Sequence, residues 1–275
     1  MRFARLHGAG NDFLVFDGGA EAGLESSLPP AVATLCHRRF GLGADGVLLL
    51  LPGAAREARL VYWNGDGSTA SFCANGTRCA ARFAAERWGW DELLLHTGYA
   101  PIPARVREAQ VTLELPAATE LSPWRSLATA EGEHRARRLV VGVPHLVVPV
   151  DWPDFWDRPL APLAPALRAH GDLPAGGANV NFVRVEAGGE LAVRSWERGV
   201  EGETLSCGSG DVAAALVGIA EGWCRAPATV RTASGRRLVV VPRGEPPACP
   251  STLAGPAEWV ADGDVSPELL IPIFH

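Results

Sequence analysis

The chain contains no lysine: all 25 basic side chains among its 275 residues are arginine. Without a lysine amine there is no Schiff-base chemistry and no pyridoxal phosphate held as an internal aldimine. A Walker-type phosphate loop is excluded on the same ground, because its lysine is essential. Asparagine is nearly as scarce, with only Asn11, Asn64, Asn75, Asn179 and Asn181, each beside glycine or in a short polar motif. Amides that survive such a bias mark places where a neutral donor–acceptor group is needed. The competing reading is that asparagine tolerates left-handed turns.

Long apolar runs are also missing. None approaches the roughly 18–20 residues needed to span a bilayer. The N-terminal stretch MRFARLHGAGNDF lacks an apolar signal core, so the sequence predicts a cytoplasmic protein with no membrane partner. A net charge of −6 argues against a nucleic-acid partner. The six cysteines are then expected to be reduced thiols. Cys73 and Cys79 have no Cys-x-x-Cys or His pair nearby, so no metal site is expected.

One repeat stands out among what is present. DGSTASFCANGTRCAARFAAERWG, ending at Gly89, aligns with EGETLSCGSGDVAAALVGIAEGW, ending at Trp223. Both have an acidic-Gly element, a hydroxyl-rich approach, Cys-x-x-Gly and a helical pattern closed near Trp and Gly. A single repeat of about half the chain reads as a duplicated domain. LPAATELSPW (115–124) has the composition of a linker, which puts the domains at 1–117 and 118–262. Most other segments are β-branched or alternating runs, among them FLVFDGG, GVLLLLP and RRLVVGVPHLVVPV. FVRVEAGGELAVRSW reads as a hairpin with Gly188-Gly189 at its tip. Helical periodicity is found at 30–39, 79–88, 160–169 and 212–222. The expected fold is α+β: two similar domains, each a mixed, mostly antiparallel sheet or barrel around a central helix that begins at its cysteine.

A helix N-terminus carries about half a positive charge and several unpaired N–H donors. A cysteine there has a stabilised thiolate, and the same N–H groups grip a carboxylate. Both Cys73 and Cys207 are therefore expected to titrate below the free value. Two such ends facing one α-carboxylate would set a sulfur on either face of the α-carbon. One thiolate would then remove the α-proton and the opposite thiol return one, inverting the carbon. Two packing cysteines, a zinc site and a redox pair are the competing readings. Cys36, Cys79, Cys224 and Cys249 read as packing residues.

HGAGNDF (7–13), GLGADG (41–46), WNGDGS (63–68), CANGTRC (73–79), GVPH (142–145), NVNF (179–182), ERGVEGETLSCGSG (197–210) and AGPAEWVADG (254–263) resemble the diaminopimelate epimerase family. These motifs run in order over nearly the whole chain. The resemblance implies a cytoplasmic homodimer acting on a small molecule without a cofactor, interconverting LL- and meso-diaminopimelate. It implies an active site in the cleft between the domains, and a first domain completed by residues 263–275. It makes Cys73 and Cys207 the acid/base pair, tuned by His145 and Glu197. Ala74, Asn75, Gly208 and Ser209 would bind carboxylate at the two helix starts. Asn11, Asn64, Asn179, Glu197 and Arg198 would contact the substrate. The chain departs from the family twice: Val143 stands where asparagine is often found, and Gly46 where glutamine is. A two-thiol racemase acting on proline or hydroxyproline is the nearest rival.

Overall fold

The structure is a computed structural model and describes residues 1–270. In the first half of the chain the strands are β1 (Arg2–Gly8), β2 (Asn11–Asp17), β3 (Gly46–Pro52), β4 (Glu57–Asn64), β5 (Glu92–His96), β6 (Pro101–Arg107) and β7 (Gln110–Leu115). The second half supplies β8 (Arg125–Thr129), β9 (Gly132–Val141), β10 (Val143–Pro149), β11 (Asn179–Val185), β12 (Leu191–Glu197), β13 (Gly202–Thr204), β14 (Ala228–Arg231), β15 (Arg237–Pro242), β16 (Ser251–Pro256) and β17 (Glu258–Asp264). The helices are α1 (Leu24–Ser27), α2 (Val32–Cys36), α3 (Ala74–Trp88), α4 (Ala164–Arg168) and α5 (Gly208–Ala220). Among the described residues, no helix is long and apolar enough to cross a membrane.

The chain forms two compact units, one of Met1–Leu113 with the segment from Gly255 onward, the other of Glu114–Ala254. In the first unit the pairing runs β17-β1-β2-β3-β4-β5-β6-β7, with β2–β3 and β4–β5 parallel and the rest antiparallel. In the second it runs β8-β9-β10-β11-β12-β14-β15-β16, with β10–β11 and β12–β14 parallel. The two sequences of parallel and antiparallel joins are the same. A parallel pair requires a crossover, and helices supply it in both units. Helices α1 and α2 lie between β2 and β3, and α4 between β10 and β11. Helix α3 lies between β4 and β5, and α5 between β12 and β14. The duplication read from two cysteine motifs thus extends to every join of these two runs, while β13, paired with β12, is matched in the first unit only by the isolated bridge Trp63↔Thr69.

One strand breaks the symmetry of chain order. The first unit takes its outermost strand from β17, which pairs with β1 from Arg2↔Asp264 to His7↔Glu258. The return therefore starts near Gly255 rather than at 263, and the other boundary falls at Leu113 rather than 117. Of the expected completing segment, residues 271–275 lie outside the described residues. The stretch read as a linker is instead tied to the second unit. Thr119 and Val140 exchange backbone hydrogen bonds of 2.9 and 2.8 Å, and the Ser122 N–H donates to Arg138 O at 2.9 Å. Extended Pro-rich backbone still offers edge donors and acceptors, and β9 uses them. The β run RRLVVGVPHLVVPV holds the end of β9 and the whole of β10. It reverses at Gly142, at φ 71°, so that Val143 pairs with Val141.

Each sheet wraps a helix. In β2 both faces are buried: Leu14 and Phe16 join the core of Leu28, Val32, Leu35 and Trp63, while Phe13 lies against Gly76 of α3. This accounts for the unbroken run FLVF. Ala80, Ala81 and Ala84 of α3 are almost fully buried, and their small side chains let strands approach closely. Helix α5 is likewise buried from Gly208 to Gly218. Gly89 at φ 69° closes α3 by the left-handed C-terminal geometry that glycine favours. Helices 30–39 and 160–169 shrink to Val32–Cys36 and Ala164–Arg168. Prolines at 29, 30, 162 and 165 lack the N–H groups a longer helix needs.

Candidate active site

In the first unit the chain reaches α3 in extended form at Cys73, φ −145° and ψ 112°, and turns helical at Ala74. Cys73 is thus the N-cap. Its sulfur accepts the Gly76 N–H at 3.4 Å, and the Thr77 hydroxyl donates to its carbonyl at 2.8 Å. Ala74 and Asn75 form the buried first turn. The Asn75 amide oxygen accepts from the fully buried Arg78 guanidinium at 2.7 Å. Gly8 makes room for this turn, since a Cβ there would lie 2.9 Å from Asn75 O.

The hairpin β1–β2 turns through Ala9 and Gly10, at φ 56° and 95°, with Gly8↔Asn11 as its closing pair. Positive φ at both central positions is the two-residue geometry that matches strand twist. Asn11, leaving this turn, sets its Oδ1 3.6 Å from the Cys73 sulfur. Its nitrogen donates to Asp45 at 2.7 Å, and Arg38 bridges Asp45 and Asp12 at 2.7 Å each. Arg5 also pairs with Asp12. Burial works against the Asp12 charge, but Arg38 and Arg5 hold its carboxyl below the usual carboxylate range. Asn64 closes β4, and its amide donates to Ser68 at 2.9 Å in the turn before Cys73.

In the second unit Cys207 occupies the same place, as N-cap of α5, but is buried. The Asn179 nitrogen and the Ser209 hydroxyl lie 3.9 and 3.8 Å from its sulfur. The Asn179 oxygen accepts the Arg198 N–H at 2.8 Å, which ties the start of β11 to the end of β12. Burial, followed by the charges of Glu197 and Asp211, pushes the Cys207 thiol well up. The Gly210 N–H and Ser209 hydroxyl pull weakly the other way. The expectation of a lowered thiol at both helix starts is therefore corrected here. Desolvation and two carboxylates outweigh about half a unit of helix-end charge. Cys207 holds its proton at neutral pH.

Glu197 is oriented by a hydrogen bond from the Thr204 hydroxyl, across the β12–β13 hairpin. The Arg198 side chain is exposed and forms no ion pair among the described residues. His145 is fully buried on β10 beside Asn179 of β11. Burial pushes its imidazole down to about 3; the Arg198 charge adds to this and a backbone bond to Val141 opposes it. It is neutral, and its Nδ1 meets the Asn181 nitrogen at 3.2 Å.

The diaminopimelate epimerase family model matches residues 3–100 and 139–260. The diaminopimelate epimerase of Gemmatimonas aurantiaca is 38% identical over 250 residues, 87% of each chain. That of Methanocella arvoryzae is 34% identical over 278 aligned positions, 96% of each chain. The chain belongs to the diaminopimelate epimerase family. It is accordingly an isomerase. A hydroxyproline epimerase from Agrobacterium vitis shares the fold, with a TM-score of 0.73 at 19% identity, over 96% of this chain and 90% of that one.

Within this epimerase the expected residues fall into two local groups. Asn11, Ala74 and Asn75 surround Cys73, while Asn64 bonds Ser68. Asn179, Glu197, Gly208 and Ser209 act on Cys207, Arg198 is tied to Asn179 through its backbone N–H, and His145 meets Asn181. Sequence reasoning missed the supports Asp12, Arg38 and Asp45 behind Asn11 and Ser195 behind His145, and it singled out Asn181 without giving it a role. The scarcity of asparagine was signal enough to find Asn181. Gly46, where the family often carries glutamine, has no room for a side chain, because a Cβ would lie 2.6 Å from Trp63 O. Val143 sits half-buried at the Gly142 reversal.

Proposed function

We propose that this epimerase inverts the α-carbon of LL-2,6-diaminopimelate to the meso form, in lysine and peptidoglycan precursor biosynthesis. Cys73 and Cys207 are the two acid/base groups, and no cofactor takes part. One observation carries the reading: each half of a duplicated fold caps its central helix with a cysteine, at α3 and α5. In the forward step the Cys73 thiolate takes the α-proton, and the Cys207 thiol delivers its own proton to the opposite face. The pair then holds Cys73 as thiol and Cys207 as thiolate, and exchange with solvent restores the starting state. The N–H groups of Ala74-Asn75 and Gly208-Ser209 hold the α-carboxylate and the charge that develops beside it. Burial, Glu197 and Asp211 support the acid role of Cys207, since all three keep its proton on. Arg198 offers a guanidinium fork for the distal carboxylate. Glu197, Asn11, Asn64 and Asn179 take the ammonium groups and neighbouring amide contacts. The resemblance of the family supports a cytoplasmic homodimer.

The test is α-hydrogen exchange in deuterated water. LL-diaminopimelate should exchange and epimerise, while proline and hydroxyproline should not. Cys73→Ala and Cys207→Ala should each abolish epimerisation with circular dichroism unchanged. Retained turnover in either variant, or faster exchange on proline, overturns the reading.

A further inference from the structure

The two amides beside the thiols are fixed in opposite senses, and the cause differs. Asn179 gives its oxygen to the Arg198 N–H and so turns its nitrogen to Cys207. Asn11 gives its nitrogen to Asp45 at 2.7 Å and turns its oxygen to Cys73 at 3.6 Å. A carboxylate only accepts hydrogen bonds, so it can hold only the NH2 end of an amide. We infer that Asp45 is a positioning residue: it locks the Asn11 amide with its oxygen toward the Cys73 sulfur. This rests on Cys73 being an acid/base group, as proposed above.

The surroundings leave Asp45 no other sense. Its Oδ2 accepts from Asn11 and from the Asp12 N–H at 3.2 Å, and its Oδ1 from Arg38 at 2.7 Å. The Asp45 N–H returns to Asp12 Oδ1 at 3.1 Å, and Arg38 also holds Asp12, so the loop at 45 is fastened to β2. The Asn11 oxygen is then an acceptor waiting for the S–H that forms when Cys73 takes a proton. It makes the sulfur a better base, against the Gly76 N–H, which favours the thiolate. An asparagine at 45 reverses this. Arg38 demands an acceptor, so the new side chain points its oxygen there and its NH2 at Asn11. The Asn11 amide then turns over and offers its NH2 to the sulfur.

The experiment measures iodoacetamide labelling of Cys73 by peptide mapping, as the ratio of rates at pH 7 and pH 10. D45N should raise this ratio about threefold or more, the effect of half a pKa unit on the thiolate fraction. In an Asn11→Ala background the same substitution should leave the ratio within about 1.5-fold, because Asp45 acts only through Asn11. Epimerase turnover should move oppositely, falling in D45N while labelling rises. Asp45→Glu, which keeps an acceptor-only group, should restore the ratio. If D45N fails to fold, Asp45→Ala frees the amide and should raise the ratio by a smaller factor. An unchanged ratio in the folded variant, or an equal rise in the Asn11→Ala background, overturns the assignment. Labelling requires no epimerisation, so it separates this inference from the functional reading: loss of the reading alone leaves the labelling cycle intact.

Discussion

The Asn181 amide oxygen lies 2.0 Å from where a Cβ at position 210 would stand, so Gly210 and Asn181 cannot both be kept if the glycine gains a side chain. Asn181 has nowhere to retreat. It is fully buried and bonded to His145, to Leu146 O at 3.3 Å and to the Ser195 hydroxyl at 2.9 Å. Gly210→Ala should therefore cost about 1–3 kcal/mol, the usual penalty for overpacking. Denaturant unfolding measures the loss, and activity should fall with it because α5 begins at Cys207. A variant as stable as the parent would show that the amide moves freely.

Gly46 is a second close approach. A Cβ there would meet Trp63 O at 2.6 Å and Tyr62 Cε2 at 2.7 Å. Gly46→Gln restores the residue that the family often carries, yet it should destabilise by about 1–3 kcal/mol and lower activity. Improved substrate affinity in that variant would contradict the close packing of β3 on β4.

Arg198 should separate binding from stability. It is exposed with no ion pair among the described residues, so Arg198→Ala should shift the melting temperature by less than about 2 °C. Loss of a charge-assisted fork to a carboxylate, at about 1.5–3 kcal/mol, should raise KM roughly ten- to a hundredfold. Arg198→Lys should fall between, since it keeps the charge and loses the fork. Steady-state kinetics on LL-diaminopimelate decide this.

His145 predicts an acid limb. Its imidazole is pushed down from 6.5 to about 3, so the unfolded chain binds a proton there that the folded one refuses. The contribution is fully present above pH 6.5 and is lost as pH falls toward 3. The slope should approach about 1.4 kcal/mol per pH unit. Urea unfolding between pH 6.5 and 4 should show a shallower slope in His145→Gln. Parallel slopes would mean that His145 takes up its proton in the folded state.

Much of the fold was legible because its signals are local. Cys-x-x-Gly before an alanine-rich run declares a helix start, and α3 and α5 begin there. Gly188 and Gly189, at φ 86° and 83°, form the expected hairpin tip because their torsions suit glycine. RRLVVGVPHLVVPV is β as expected, but its division into two strands was not legible. Composition cannot distinguish a strand that continues from one that doubles back at Gly142. The linker at 115–124 was misread because edge pairing with β9 depends on where that strand lies, which no composition records.

By itself, the sequence determined the duplication, the α+β class, the capping cysteines and the membership of the family. Each follows from residue order within short windows, repeated twice. Only the tertiary structure decided the state of Cys207 and the supports of the amides. Glu197 and Asp211 act on that thiol through space and by joint burial, not by spacing along the chain. Asp45 reaches Asn11 only because β2 and β3 pair in parallel, from Phe13↔Gly46 onward. Electrostatics and hydrogen bonding depend on distance in space, and that distance exists only once the sheets have closed around their helices.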